Sequence, residues 1–237
     1  FIFAAMSNMY NNGAYLQNNP SWHSEDSLWK AEMITQILTK NKIQPTTIAE
    51  VGCGSGEVIL NVQKKISSPT KISGFEISQD AYNLVKEKSN DDASFYLHDL
   101  LSADDTNFFD LLLVIDVIEH VENNPEFLRK CRTKATHKIF HIPLDFTVQK
   151  ALRPHALMHN REKVGHIHYF TKETALAALK ENGFNILDYN FTKWGLELPQ
   201  KTFLKKAGKI PLHLLTMLSE DLAARVIGGC SLIILAE

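Results

Sequence analysis

Apolar residues first fall into a regular pattern at Leu28, Trp29, Met33, Ile34, Ile37 and Leu38, a helical spacing that predicts an amphipathic helix from Ser24 to about Asn41. Ser24 reads as its cap, and Glu25 and Asp26 occupy the first turn, where the helix dipole favours acids. After Pro45 the period changes. Thr47–Val51 reads as a short buried strand that runs straight into glycines and then into a helix from Glu57 to about Ile66. The alternation recurs as strand Lys71–Glu76, helix Gln79–Lys88, strand Ser94–Leu97 and strand Asp110–Asp116, whose Leu-Leu-Leu-Val-Ile core is almost unbroken. Uninterrupted runs of this kind suit a parallel sheet covered on both faces.

Further along, the pattern predicts a helix around Pro125–Thr133, a strand Lys138–Ile142, a helix Lys172–Asn182 stopped by Gly183, and a strand Asn185–Thr192. Ser231–Ala236 is strand-like and follows Gly228-Gly229 with no crossover helix, so it is expected to pair antiparallel. The expected architecture is α/β: a doubly wound, mostly parallel seven-stranded sheet with helices on both faces and an antiparallel last strand. One domain, 1–237, accommodates it. Its elaborations are an N-terminal arm and helix over 1–44, a substrate lid over 146–170 and a helical insertion over 194–227, in which Pro211 should interrupt a helix.

Composition narrows the class without naming a partner. With 237 residues, 44% hydrophobic content and a net charge of -2, the chain is expected to be globular rather than disordered or nucleic-acid-coating. The three cysteines, Cys53, Cys131 and Cys230, fit no zinc spacing and suggest a reduced, cytoplasmic setting. The apolar start, Phe1 to Ser7, has no basic lead and is too short for an export core, and no apolar run approaches the roughly 20 residues that cross a bilayer.

Candidate chemistry concentrates at the first glycine turn. Gly52, Gly54 and Gly56 leave the backbone bare where a strand becomes a helix, so a polar group can approach the amides there. A dinucleotide fingerprint would place its third glycine at position 57, which holds Glu57; this counts against a nicotinamide-dependent oxidoreductase. Glu50, just before the turn, would welcome a cationic group.

The segment Glu50-Val51-Gly52-Cys53-Gly54-Ser55-Gly56 resembles the first motif of the class I, Rossmann-like S-adenosylmethionine-dependent methyltransferases of small-molecule type. The resemblance covers roughly Thr47–Phe191 and the last strand. It implies that this loop cradles the methionine part of S-adenosyl-L-methionine, that Glu76 binds the ribose with Ile77 against the adenine, and that Asp99 and Leu100 contact the adenine edge. Asp116-Val117-Ile118-Glu119-His120 resembles the D-x-x-E-H loop of the same class, in which Asp116 and Val117 would flank the methionine part and His120 would approach the transferred methyl. S-adenosyl-L-homocysteine would be the product.

The acceptor is less defined. His120, His141 and His166 are the candidates to assist deprotonation of an acceptor hydroxyl, histidine being suited to neutral pH. In the lid, Arg153, Arg161, His168 and Tyr169 are candidate substrate contacts, and the basic Lys150, Arg153, Arg161 and Lys163 suggest an anionic group such as phosphate or carboxylate, as in a sugar nucleotide. The expected partner is a small polar metabolite, accepting at a hydroxyl rather than an amine. No nucleic acid is expected. The lysines and leucines of 194–227 could touch a membrane surface, although a solvated helix explains them more simply. The Asp116, Glu119 and His120 spacing matches no standard metal motif, and no metal is expected. A non-catalytic S-adenosylmethionine-binding module is the competing reading. Tyr15, Trp22 and His23 precede the first helix and, by the same resemblance, could fold over the cofactor, although core packing explains Trp22 equally well.

Overall fold

The structure, a computed structural model, describes residues 17, 19, 22, 24–198 and 209–237, without the side chains of Pro154 and Lys209. Tyr15, His23, Lys201, Phe203, Leu204, Lys205 and Lys206 lie outside the described residues. In chain order the elements are α1 (Ser27–Lys40), β1 (Thr47–Val51), α2 (Glu57–Lys65), β2 (Lys71–Glu76), α3 (Gln79–Val85), β3 (Ala93–Leu97) and β4 (Phe109–Ile115). They continue with α4 (Asn124–Arg132), β5 (Ala135–Pro143), α5 (Val148–Ala151), α6 (Pro154–Val164), α7 (Lys172–Glu181) and β6 (Ile186–Thr192). Last come α8 (Trp194–Glu197), α9 (Lys209–Leu218), α10 (Glu220–Val226) and β7 (Ser231–Ala236).

The seven strands form one sheet in the order β3-β2-β1-β4-β5-β7-β6. Every pairing is parallel except the two made by β7, which runs antiparallel to both β5 and β6. The sheet is therefore the doubly wound, mostly parallel one expected, with its last strand reversed. Both faces are covered, which explains the unbroken apolar strands. In β4, Leu111, Leu113 and Ile115 pack with Ile34 and Ile37 of α1 and Ile59 of α2, whereas Leu112 and Val114 face Phe127 and Leu128 of α4. Removing these side chains from water is the main stabilising term.

Three local expectations change. The first α-helix begins at Ser27 behind a short 3-10 turn, Ser24–Asp26, so Ser24 is not its cap. Pro211 falls in the first turn of α9, where a proline is tolerated, and so marks a helix start rather than an interruption. Strand β4 ends at Ile115, one residue early, because Asp116 turns to φ 53. No helix among the described residues is long and apolar enough to cross a membrane. The three cysteines are free and buried.

Candidate active site

The strand order reverses between β1 and β4, and open α/β sheets bind ligands in the crevice at such a switch point, beyond the carboxyl ends of the strands. The glycine turn after β1 and the Asp116 loop after β4 flank that crevice. Their residues help line a cavity of about 870 Å³, within the range of roughly 300–1,000 Å³ typical of small-molecule sites.

Gly52, Gly54 and Gly56 all have positive φ, between 55° and 73°, a conformation that side chains rarely adopt. Their neighbours divide their roles. A Cβ on Gly54 would stand 2.5 Å from the indole of Trp22, so Trp22 lies directly over the turn. A Cβ on Gly56 would meet Val85 at 2.4 Å and Phe95 at 2.8 Å, so this glycine permits close packing of the turn against α3 and β3 and does not face the cavity. Gly52, Cys53 and Gly54 do face it, together with Glu50.

Glu50 is 2% exposed, and its Oε2 has no hydrogen-bond partner. Burial, followed by the nearby Glu76 and Asp116 carboxylates, pushes its carboxyl up to about 8 against the opposing pull of the Ile59 backbone amide and Lys30. Glu76 is also buried: Oε2 accepts from the amide of Gly54 at 2.9 Å, and Oε1 accepts from those of Ile77 and Ser78 at 2.8 Å. Burial raises its carboxyl despite these bonds. Glu76 therefore ties the end of β2 to the glycine turn. Ile77 is exposed at that strand end, Leu100 is buried, and Asp99 accepts from the amide of Leu101 at 2.9 Å. Glu76, Ile77, Asp99 and Leu100 lie at the ends of β2 and β3, outside the cavity wall, as does Val117, which packs over Gly52.

Beyond β4, Asp116 joins three elements. Its Oδ1 accepts from His141 Nδ1 of β5 at 2.6 Å, and its Oδ2 pairs with Lys30 Nζ of α1 at 2.8 Å. Burial alone would raise the Asp116 carboxyl, but the charges and hydrogen bonds of His141 and Lys30 outweigh it and hold the group far below the carboxylate range. Lys30, itself buried, also pairs with Asp26 at 3.0 Å; the two acids overcome its desolvation and raise it. The second nitrogen of His141 is 2.9 Å from Thr192 Oγ1, so both ring nitrogens are engaged. The αL backbone at Asp116 is strained for a residue with a side chain, and this pair of ion contacts holds it in place.

The lid is hooked onto the same loop. The Glu119 carbonyl accepts from the amides of Ile167 and His168, and His120 Nδ1 donates to the Gly165 carbonyl at 3.0 Å. His166 Nδ1 donates to Asp145 Oδ2 at 2.6 Å. Burial opposes ionisation of Asp145, but His166 and Lys150 prevail and draw it down to about 2. His120 and His166 line the cavity with their rings 4.9 Å apart, and Glu119, fully buried, lies between them.

The lid residues named from sequence are placed otherwise. Arg153 and Arg161 are exposed, His168 bonds the Val121 carbonyl, and Tyr169 donates to the Leu157 carbonyl; none belongs to the cavity wall. Conversely, sequence reading passed over Lys30, Asp26, Asp145 and Thr192. The one available signal was the Asp26–Lys30 spacing, which puts both on one helix face. The wall carries six acidic side chains (Asp26, Glu50, Glu57, Asp116, Glu119, Asp145) against two lysines (Lys30, Lys150), where the basic residues of 146–170 had suggested a cationic site.

Comparison with known proteins agrees with this geometry. A probable (S)-tetrahydroprotoberberine N-methyltransferase 2 of Papaver bracteatum is 26% identical over 118 residues, which are 47% of this chain and 33% of that one, so the match spans about a third of the relative's length. Among solved structures, magnesium protoporphyrin IX methyltransferase from Synechocystis PCC 6803 with bound SAH has a TM-score of 0.57 at 14% identity, over 88% of this chain and 81% of its own. The plantazolicin methyltransferase BpumL in complex with SAH has a TM-score of 0.59 at 14% identity, over 98% and 94%. At such identities the structures speak for the fold alone. The sequence model of the methyltransferase domain family matches residues 22–189, most of the chain and all of the glycine turn and Asp116 loop, and so the protein belongs to that family, the class I S-adenosylmethionine-dependent methyltransferases.

Proposed function

We propose that this protein transfers a methyl group from S-adenosylmethionine to a hydroxyl of a small polar metabolite held in the cavity. The observation that carries this reading is the pairing of a bare glycine turn with the buried Glu50 oxygen that has no hydrogen-bond partner, a cradle suited to a ligand with an ammonium group. Glu50, Gly52, Cys53, Gly54, Asp116 and Val117 would hold the methionine part; Glu76, Ile77, Asp99 and Leu100, at the neighbouring strand ends, would hold the adenosine. Gly56 supports the turn by packing. When bound, the cofactor supplies an electrophilic methyl on a sulfonium sulfur.

The chain's own contribution is alignment and exclusion of water. Trp22 lies over the glycine turn, and Asn19 donates to the Lys163 carbonyl on α6. Among the histidines, His120 and His166 face the acceptor space, and Asp145 orients His166. His141, bonded at both nitrogens, positions Asp116. The excess of carboxylates in the wall favours a neutral acceptor over an anionic one. It also supports a second reading, transfer to an amine, the reaction named for the Papaver relative.

The test is a metabolite-pool assay with labelled cofactor. We expect label transfer by the wild type, near-complete loss in His166→Ala, and partial loss in His141→Ala together with a lower melting temperature. Full-rate transfer by His166→Ala rejects its role, and binding of cofactor without transfer to any pool returns the non-catalytic module.

A further inference from the structure

We propose that Glu119, His120 and His166 form a binding site for one divalent transition-metal ion in the cavity wall. The inference deepens the hydroxyl-transfer reading, on which it rests, by giving the acceptor oxygen a place at that ion. One donor atom from each of the three residues lies within 4.8 Å of the other two, and Nε2 of both histidines is 3.9 Å from Glu119 Oε1. Donors about 2.1 Å from one tetrahedral ion stand about 3.4 Å apart, so the group closes on an ion with movements below about 1 Å.

Orientation adds to distance. Both rings are fixed through Nδ1, that of His120 by the Gly165 carbonyl and that of His166 by the Asp145 carboxylate, which turns Nε2 toward Glu119 in each case. Metal-binding histidines receive this kind of support, a carbonyl or carboxylate behind the far nitrogen. Asp145 is in turn held by Lys150 and by Asn160 at 2.9 Å.

The strongest sign is Glu119 itself. Its side chain is 0% exposed, and neither carboxylate oxygen has a hydrogen-bond partner. A buried carboxylate without partners costs several kcal/mol if charged. The two lysines of the cavity wall are already engaged, Lys30 by Asp26 and Asp116 and Lys150 by Asp145. A cation between Glu119 and the two imidazoles would satisfy these oxygens and offset the surplus of acids in the wall. Two imidazoles and one carboxylate suit Mn, Fe, Co, Ni or Zn, and three protein donors leave positions open to the cavity. An acceptor hydroxyl at such a position loses its proton to solvent more readily. In this arrangement His120 and His166 act on the acceptor through the ion and not as proton acceptors.

The experiment titrates Co²⁺ alone into chelator-stripped protein, read by calorimetry and visible absorption, for the wild type, Glu119→Gln and His166→Ala. We expect one saturable site with d–d bands in the wild type and at least about tenfold weaker binding in both variants. Glu119→Gln keeps the shape of a buried side chain whose carboxyl oxygens have no hydrogen-bond partner, and should fold at least as stably without metal. An absence of saturable binding by the wild type, or equal affinity in all three proteins, overturns the site. Methyl transfer by stripped enzyme at an undiminished rate overturns the acceptor's place on the ion. S-adenosylhomocysteine binding by the stripped protein is measured in parallel: its failure rejects the methyltransferase reading while leaving the Co²⁺ result to stand by itself.

Discussion

Replacing Glu50 by glutamine removes a titratable group from the proposed cofactor cradle while keeping its shape. Burial first, then the neighbouring acids, pushes the Glu50 carboxyl from 4.5 up to about 8. The folded protein therefore holds this proton more tightly than the unfolded chain does. The stability tied to it is fully present below about pH 4.5 and is lost as pH rises toward 8, beyond which the loss is complete. Between pH 6 and 8 the span of 2 units corresponds to roughly 3 kcal/mol at about 1.36 kcal/mol per unit, or roughly 5–10 °C in melting temperature for a chain of this size. Scanning calorimetry of the cofactor-free protein at pH 6, 7 and 8 should show the wild type losing stability faster than Glu50→Gln by that margin. If Glu50 meets an ammonium group, it must ionise on binding. Calorimetry with S-adenosylhomocysteine at pH 6.5, in buffers of different ionisation enthalpy, should then show release of nearly one proton in the wild type and much less in Glu50→Gln. Parallel pH–stability curves for the two proteins would refute the burial argument, and identical proton release would refute the contact.

Three further outcomes follow from packing and charge. Gly54→Ala places a methyl 2.5 Å from the Trp22 indole at φ +55, so it should displace Trp22, red-shift tryptophan emission and weaken S-adenosylhomocysteine binding at least about tenfold; unchanged affinity would count against the cradle. Gly56→Ala meets Val85 and Phe95 in the core rather than a ligand, and its penalty should appear as a melting point lower by several degrees, measured without cofactor. Asp116→Asn keeps a residue tolerant of φ 53 but leaves buried Lys30 with only Asp26, a loss of about 3 kcal/mol by urea unfolding; a change under about 0.5 kcal/mol would mean that Lys30 does not need the pair.

The sheet was legible in sequence because its strands are buried on both faces: the run Leu111–Ile115 has no polar position at which to break. The glycine turn was legible because positive φ at Gly52, Gly54 and Gly56 leaves few residue choices. Less could be read where function depends on partners distant along the chain. Lys30 lies on the amphipathic helix, yet its ammonium crosses to Asp116, and nothing local announces a pairing across 86 positions. The histidines of the lid were visible, but which of them face inward is set by Gly165, Glu119 and Asp145, through bonds that no periodicity encodes. The sign of the cavity wall was illegible for the same reason. The lid's arginines point outward, and the cavity takes its sign from acids on five different segments.

That sign bears on how the two halves of the site work together. Asp116 and Glu119 lie three residues apart on one loop, with opposite electrostatic circumstances. Asp116 is satisfied on both oxygens by His141 and Lys30, whereas Glu119 is satisfied on neither. A loop needing only to close a fold would have no use for the second carboxylate, since a leucine there would cost nothing in desolvation. The strain at Asp116 turns the chain so that Glu119 points inward between His120 and His166, while the ion pair to α1 anchors that turn to the wall shared with the glycine cradle. On the proposed reading, the same strained residue sets both the methyl-donor side and the acceptor side. Its mutation should move cofactor affinity and Co²⁺ affinity together, whereas Glu119→Gln should move only the latter.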